Sequence, residues 1–208
     1  MSLITNWGYT LTELDGLPDL LQAVDFHDLT AGKYEGDARV DGDIAAASSA
    51  IRNYVGWHLY PSTECELRMA MNDRRVSING RDLLIQLPAK YVTEIESVQI
   101  GETEITENTF EVNGILRLYD VSLSGVKRYT PVVITYTAGL PDELMSGIKE
   151  LVSYRAIHAL ASSNGITSEA AGGVSVTYNA GWVSTARATA LPDDNKEVLA
   201  PYRLQGVF

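Results

Sequence analysis

Between Arg128 and Ala161 the chain reads RYTPVVITYTAGLPDELMSGIKELVSYRAIHALA, and its apolar positions change period halfway along. Val132 to Thr137 are almost all β-branched or aromatic, which predicts a strand on a half-buried pleated surface. Ala138-Gly139 ends that strand, since the glycine takes a positive φ without steric cost. Pro141 at a first helical position, with Asp142 and Glu143 behind it at the positive end of the dipole, predicts a helix start. Leu144, Ile148, Leu151, Val152, Arg155 and Ala159 then recur at helical spacing as a core-facing stripe. Tyr154, Ile157 and Leu160 add apolar groups elsewhere on the cylinder, so this helix is expected to be central to the domain, with its exit near Ser162 to Gly165.

A second helical period follows Asp43, read as an N-cap: Ile44, Ala47, Ile51, Tyr54, Val55 and His58 share one face. The alanine and serine run from Ala45 to Ala50 predicts close approach of the helix at 141–162. Gly56 weakens the last turn, and Pro61 ends the helix. From Glu66 onward the pattern turns to strands, at Val76–Ile78, Leu83–Leu87, Glu94–Ile100, Thr109–Val112, Ile115–Leu118 and Val132–Thr137. Asn79-Gly80 and Asn113-Gly114 predict tight hairpins, Gly101-Glu102 a weaker one. Leu191-Pro192-Asp193-Asp194 repeats the Leu-Pro-acidic helix start and opens a helix over 192–204, kinked at Pro201, before an aromatic, apolar end expected to be docked. At the other end Trp7 and Tyr9 anchor an arm, Leu17, Leu20, Leu21 and Val24 suit a short helix, and residues 28–43 read as a loop. Residues 165–190 read as a long connection with one edge strand, Val174–Tyr178, ordering against a partner. The fold class is therefore α+β: a helical core (43–60, 141–162, 192–204) with an antiparallel β-meander inserted at about 66–137. The expected organisation is one domain, 1–208, with that insertion and a flexible segment at 163–191.

Charge narrows the possible partners. The 208 residues carry 27 acidic and 16 basic side chains, a net charge of −11. This argues against adhesion to nucleic acid or anionic membrane, while leaving room for DNA to slide past. The lone cysteine, Cys65, is expected to be a small buried hydrophobe. No apolar run approaches the ~18 residues of a membrane span, and MSLITNWGYTLTELDG lacks the features of a signal peptide, so a cytoplasmic protein is expected.

The search for chemistry returns no phosphate-cradling glycine loop, zinc-protease helix, nucleophile elbow or paired-cysteine motif. His27, His58 and His158 are scattered and expected to be structural. Asp37, Asp41 and Asp43 around Gly42 lack the spacing of a calcium loop. Glu94, Glu96, Glu102, Glu104 and Glu107 are expected to face solvent. Asp142 and Glu143 already fill the positive helix end that an anion would need. Arg155 on an apolar stripe suits either a buried ion pair or an inter-subunit contact. No catalytic, cofactor-binding or metal-binding residue is predicted, and no cofactor.

The order of elements resembles the head–tail connector, or head-completion adaptor, family of long-tailed bacteriophages. The resemblance is carried by DIAAASSAIRNYVGWHL, by LLIQLP and IESVQI, by VVITYTAGLPDELMSGIKEL and by LAPYRLQGVF, over roughly Asp41 to Tyr202. It implies a non-enzymatic virion subunit at the capsid vertex or neck, assembled in the host cytoplasm. In that family the subunits form a dodecameric ring beneath the portal protein, meet a downstream neck or tail protein, and let genomic DNA pass without specific binding; no membrane is involved. Carried onto this chain, the portal-facing residues are Pro201, Tyr202, Arg203, Leu204 and Phe208, with the edges of the β insert covered by neighbouring subunits. The alternatives from other classes are another neck or tail-completion structural protein and a carboxylate-based hydrolase.

Overall fold

The computed structural model describes residues 2–106, 108–111, 114–122, 124–163, 168–171, 174–177, 191 and 193–204. It is a mixed α+β structure with antiparallel sheets, and its contacts gather into two units: residues 1–17, 55–141 and 202–208, and residues 18–54 and 142–201.

The first unit is built on β10 (Pro131–Ala138), the strand legible from its composition. Val132, Ile134, Tyr136 and Ala138 are buried, and the residues between them are not. An apolar strand of this kind needs neighbours on both edges. It takes β3 (Thr63–Ala70), with Tyr136 opposite Cys65 and Ile134 opposite Leu67, and β6 (Val92–Ile100), with Ile134 opposite Val98. The register on the β6 side slips between Thr135 and Tyr136, leaving Glu96 as the extra residue of a bulge. β1 (Leu3–Ile4), β2 (Thr10–Leu11) and β7 (Thr103–Glu104) complete the order β1-β2-β3-β10-β6-β7. The Trp7–Tyr9 arm therefore docks on its own core: Leu11 pairs with Cys65, and Tyr9 is 2% exposed.

A second sheet has the order β4-β5-β9-β8, from β4 (Val76–Asn79), β5 (Asp82–Gln86), β8 (Asn108–Glu111) and β9 (Ile115–Leu118). Leu83, Ile85, Leu116 and Leu118 are its buried face. The strands thus sort into two sheets with crossovers and not into a single meander. Local hairpins fix β4–β5, β6–β7 and β8–β9, but the apolar face of β10 selects β3 and β6 from far along the chain. Gly80 has φ +66°, the sign required at the first central position of a two-residue II′ hairpin loop. Of the second turn, residues 112 and 113 lie outside the described residues.

In the second unit α1 is Ala23–Leu29, later than the helix read at Leu17–Leu21. Leu20 and Leu21 are buried from a bend in a non-helical segment instead. That segment lies on the small-residue face of α2 (Val40–Val55): the Leu20 N–H donates to Ser48 Oγ at 3.0 Å and Arg52 donates to the Pro18 carbonyl at 2.6 Å. α2 begins at Val40, so Asp43 is its fourth residue and not its cap. It ends at Val55, because Gly56 turns left-handed at φ +85° before Pro61 is reached. Pro141 opens a 3-10 turn, Asp142–Leu144, and α3 runs from Ser146 to Ser163. Its buried face is Ile148, Leu151, Val152, Ala156 and Leu160, whereas Leu144 and Tyr154 are exposed and Arg155 and Ala159 half-buried. Ser146, Gly147, Glu150 and Tyr154 are exposed. Lys149 on α3 pairs with Asp25 on α1 at 2.7 Å. β11 (Ser168–Ala171) and β12 (Val174–Thr177) pair as a hairpin, so the strand read at Val174–Tyr178 has a local partner. The rest of the 163–191 segment, apart from Ser163 and Leu191, lies outside the described residues. α4 is Asp193–Leu199. No helix among the described residues is long and apolar enough to cross a membrane.

Candidate functional site in the C-terminal segment

The end of α2 leaves backbone carbonyls without an intrahelical donor. Gly56 stops the helix and opens the Val55 carbonyl, and the Leu204 N–H donates to it at 2.9 Å. An ideal Cβ on Gly56 would lie 3.8 Å from Leu204 Cβ, so the glycine also makes room for the leucine. The next residue, Trp57, is fully buried, and a buried indole N–H needs an acceptor. Its Nε1 donates to the Tyr202 carbonyl at 2.8 Å. Pro201 withdraws an amide from the helical ladder, and α4 gives way there to a 3-10 turn, Ala200–Tyr202, which directs the chain to this seat. Leu204 is 6% exposed, Tyr202 half-buried, and Pro201 and Arg203 exposed. Phe208 lies outside the described residues. The seat residues Val55, Gly56 and Trp57 escaped sequence reasoning. A glycine closing a helical run is the available signal, and Gly56 ends the helix outright where a weakened last turn is expected.

Beneath the seat a polar network holds the first unit. Tyr9 Oη lies 2.7 Å from His58 Nδ1 and accepts the His58 backbone N–H at 3.0 Å. His58 Nε2 faces two carbonyls, Ala138 at 2.9 Å and Pro61 at 3.1 Å. Two acceptors at Nε2 require its hydrogen there, so Nδ1 accepts from the tyrosine hydroxyl. His58 is thus a buried structural group. Burial pushes the Cys65 thiol up to about 12 and the Tyr136 hydroxyl well above its ordinary value.

Among the other candidate positions, Arg155 is half-buried, and burial lowers its pKa. The pKa of His158 is lowered first by burial and then by the Arg155 charge, while its ring stands 4.3 Å from Tyr154. Asp37 pairs with Arg39 at 2.6 Å, and that hydrogen bond holds its carboxyl down at about 2. Asp43 is half-buried and raised by burial, and Asp41 is exposed. Glu94 and Glu96 are exposed, and Thr137 Oγ1 donates to Glu96. Glu102 and Glu104 are exposed, and Glu107 lies outside the described residues. Asp142 and Glu143 are exposed in the 3-10 turn. No group of three metal-binding side chains forms among the described residues.

The sequence matches the family model of the head completion protein over residues 24–204, and the chain belongs to that family. Membership makes it a structural protein of the bacteriophage head that acts with other head and tail components in the virion, and points to a structural in place of a catalytic role. No curated protein matches the sequence.

Proposed function

We propose that this chain is a head–tail adaptor, one subunit of a ring beneath the portal that joins capsid to neck or tail and continues the DNA channel. The seat at Val55–Trp57 carries the reading. It fixes residues 202–204 on the first unit, which roots the proposed contact at a defined point. Pro201, Tyr202, Arg203 and Phe208 are the portal-facing residues, with Leu204 serving as their root. The 208 residues act as one adaptor domain whose helical elements carry the β-rich insertion 66–137. Arg155, half-buried beside exposed Tyr154, serves an inter-subunit contact. The ring is a dodecamer assembled in the host cytoplasm, with the portal above and a neck or tail protein below.

Charge supports the channel. Glu64 and Glu66 alternate with the buried Thr63, Cys65 and Leu67 of β3, Glu94 and Glu96 are exposed on β6, and the molecule is strongly acidic, so phosphate passes without being held.

Electron microscopy of the protein mixed with its portal tests the reading. A ring stacked on the portal is the expected image. A protein that joins only a tail component, or neither, overturns it.

A further inference from the structure

The turn at residues 55–58 holds the C-terminal segment, and the β1–β2 hairpin holds the turn. Two left-handed residues bracket it, Gly56 at φ +85° and Leu59 at φ +70°. Leu59 is fully buried and is not a glycine, so its backbone keeps this conformation because its surroundings impose it. One restraint is the Leu140 N–H, which donates to the Leu59 carbonyl at 2.7 Å. The others converge on His58. The Ala138 and Pro61 carbonyls serve its Nε2, and the Tyr9 hydroxyl serves two further groups, Nδ1 and the backbone N–H. Both of the Tyr9 contacts are buried, so a change at that hydroxyl disturbs two hydrogen bonds at once and the turn with them.

Trp57 and His58 are consecutive, and their rings meet edge to face with centroids 5.5 Å apart. The Tyr9 ring meets His58 in the same way at 5.8 Å. A path thus runs from Tyr9 through His58 and Trp57 to the Tyr202 carbonyl, entirely inside the first unit. The hairpin at its far end is lightly held. β1 and β2 share two residue pairs, and β2 and β3 two more, against eight between β10 and β3. Ile4 on the open edge is 80% exposed. An edge element with so few pairs opens locally while the rest of the sheet stays folded.

We propose that the β1–β2 hairpin is a clasp for the C-terminal segment. With Tyr9 docked, the turn presents the Val55 carbonyl and the Trp57 indole to residues 202–204 and holds them. With the hairpin lifted, His58 loses the hydroxyl, the turn relaxes, and the segment comes off its seat. Coupling is reciprocal, so the seated segment also holds the hairpin down. The coupling itself rests on the seat alone. That it governs portal attachment deepens the adaptor reading and rests on it.

Native-state hydrogen exchange on the full chain, followed by NMR, tests the clasp. Tyr9→Phe keeps the buried ring and removes only the hydroxyl. The Leu204 amide and the Trp57 indole N–H are expected to exchange about tenfold faster relative to the β10 amides, the scale of one lost buried hydrogen bond. Thr5→Val loosens the hairpin through the bond from Thr5 Oγ1 to the Tyr9 carbonyl, spares the hydroxyl, and is expected to act in the same direction. Reciprocity requires Leu204→Ala to speed the Thr5 and Thr12 amides, which donate to the Tyr9 and Glu64 carbonyls. Ile85→Val, in the other sheet, is expected to leave all these ratios at their wild-type values. Uniform acceleration across the first unit, or none at Leu204, in both hairpin variants would overturn the clasp and make the hydroxyl a general brace. Portal co-sedimentation separates the two readings: selective loosening with wild-type portal binding leaves the clasp standing and overturns the portal role of the segment.

Discussion

Single residues set the tolerance of this fold to change. Gly139 has φ +144°, and a Cβ there would meet the Pro61 carbonyl and the Ser62 backbone at about 2.4 Å. Neither neighbour is a movable side-chain end. Gly139→Ala is expected to cost more than ~2 kcal/mol by urea denaturation. Gly147, with nothing within 4 Å of its Cβ position, gains from the same change by ~0.5–1 kcal/mol, since alanine favours the helix. Charge acts through three aspartates, Asp37, Asp73 and Asp82, whose carboxyls are held low by hydrogen bonds from Arg39, Arg75 and Arg117. A depressed carboxyl stabilises the fold above its unfolded value of ~3.9 and loses that contribution as pH falls through the folded value, about 2 for Asp37. Stability measured by urea midpoint should therefore fall across that window, and Asp73→Asn should flatten the slope.

At the scale of elements, the end of α2 and the C-terminal segment form one structural device. Leu204→Ala removes a buried side chain beside Gly56 and is expected to cost ~2–5 kcal/mol in thermal or urea unfolding. Trp57→Phe strands the Tyr202 carbonyl and costs ~1–3 kcal/mol by the same measurement. Removing residues 201–208 takes the seat contacts away with the tip, so it damages the fold itself. Removing 205–208 leaves Leu204 and its hydrogen bond in place.

For the whole molecule, function is assembly. The 205–208 truncation should fold as wild type and fail to bind portal in co-sedimentation; binding at wild-type strength would remove the C-terminal end from the contact. The acidic surface predicts no retention on duplex DNA at ~0.15 M salt, where neutralising few phosphates leaves little counterion release to drive binding.

Local pattern determined much of this protein. The β-branched run at Val132–Thr137, the alternation of Leu83 and Ile85, the glycine-marked hairpins and the small-residue helix each carry their structure within a few residues, because strand and helix periods are local properties. So does the family, whose resemblance rests on the order of those elements. Tertiary structure decided which strands became neighbours, since β10 pairs with β3 and β6 across loops that no local period encodes. It decided that Leu20 and Leu21 are buried from a non-helical bend, where a hydroxyl at Ser48 supplies a hydrogen bond in place of a helical one. It decided the buried stripe of α3, shifted to Ala156 and Leu160, because a helix apolar on several sides leaves the choice of buried face to its neighbours. And it decided the C-terminal seat, where Leu204 meets a helix end about 150 residues earlier, joined by backbone groups that every sequence possesses and none advertises.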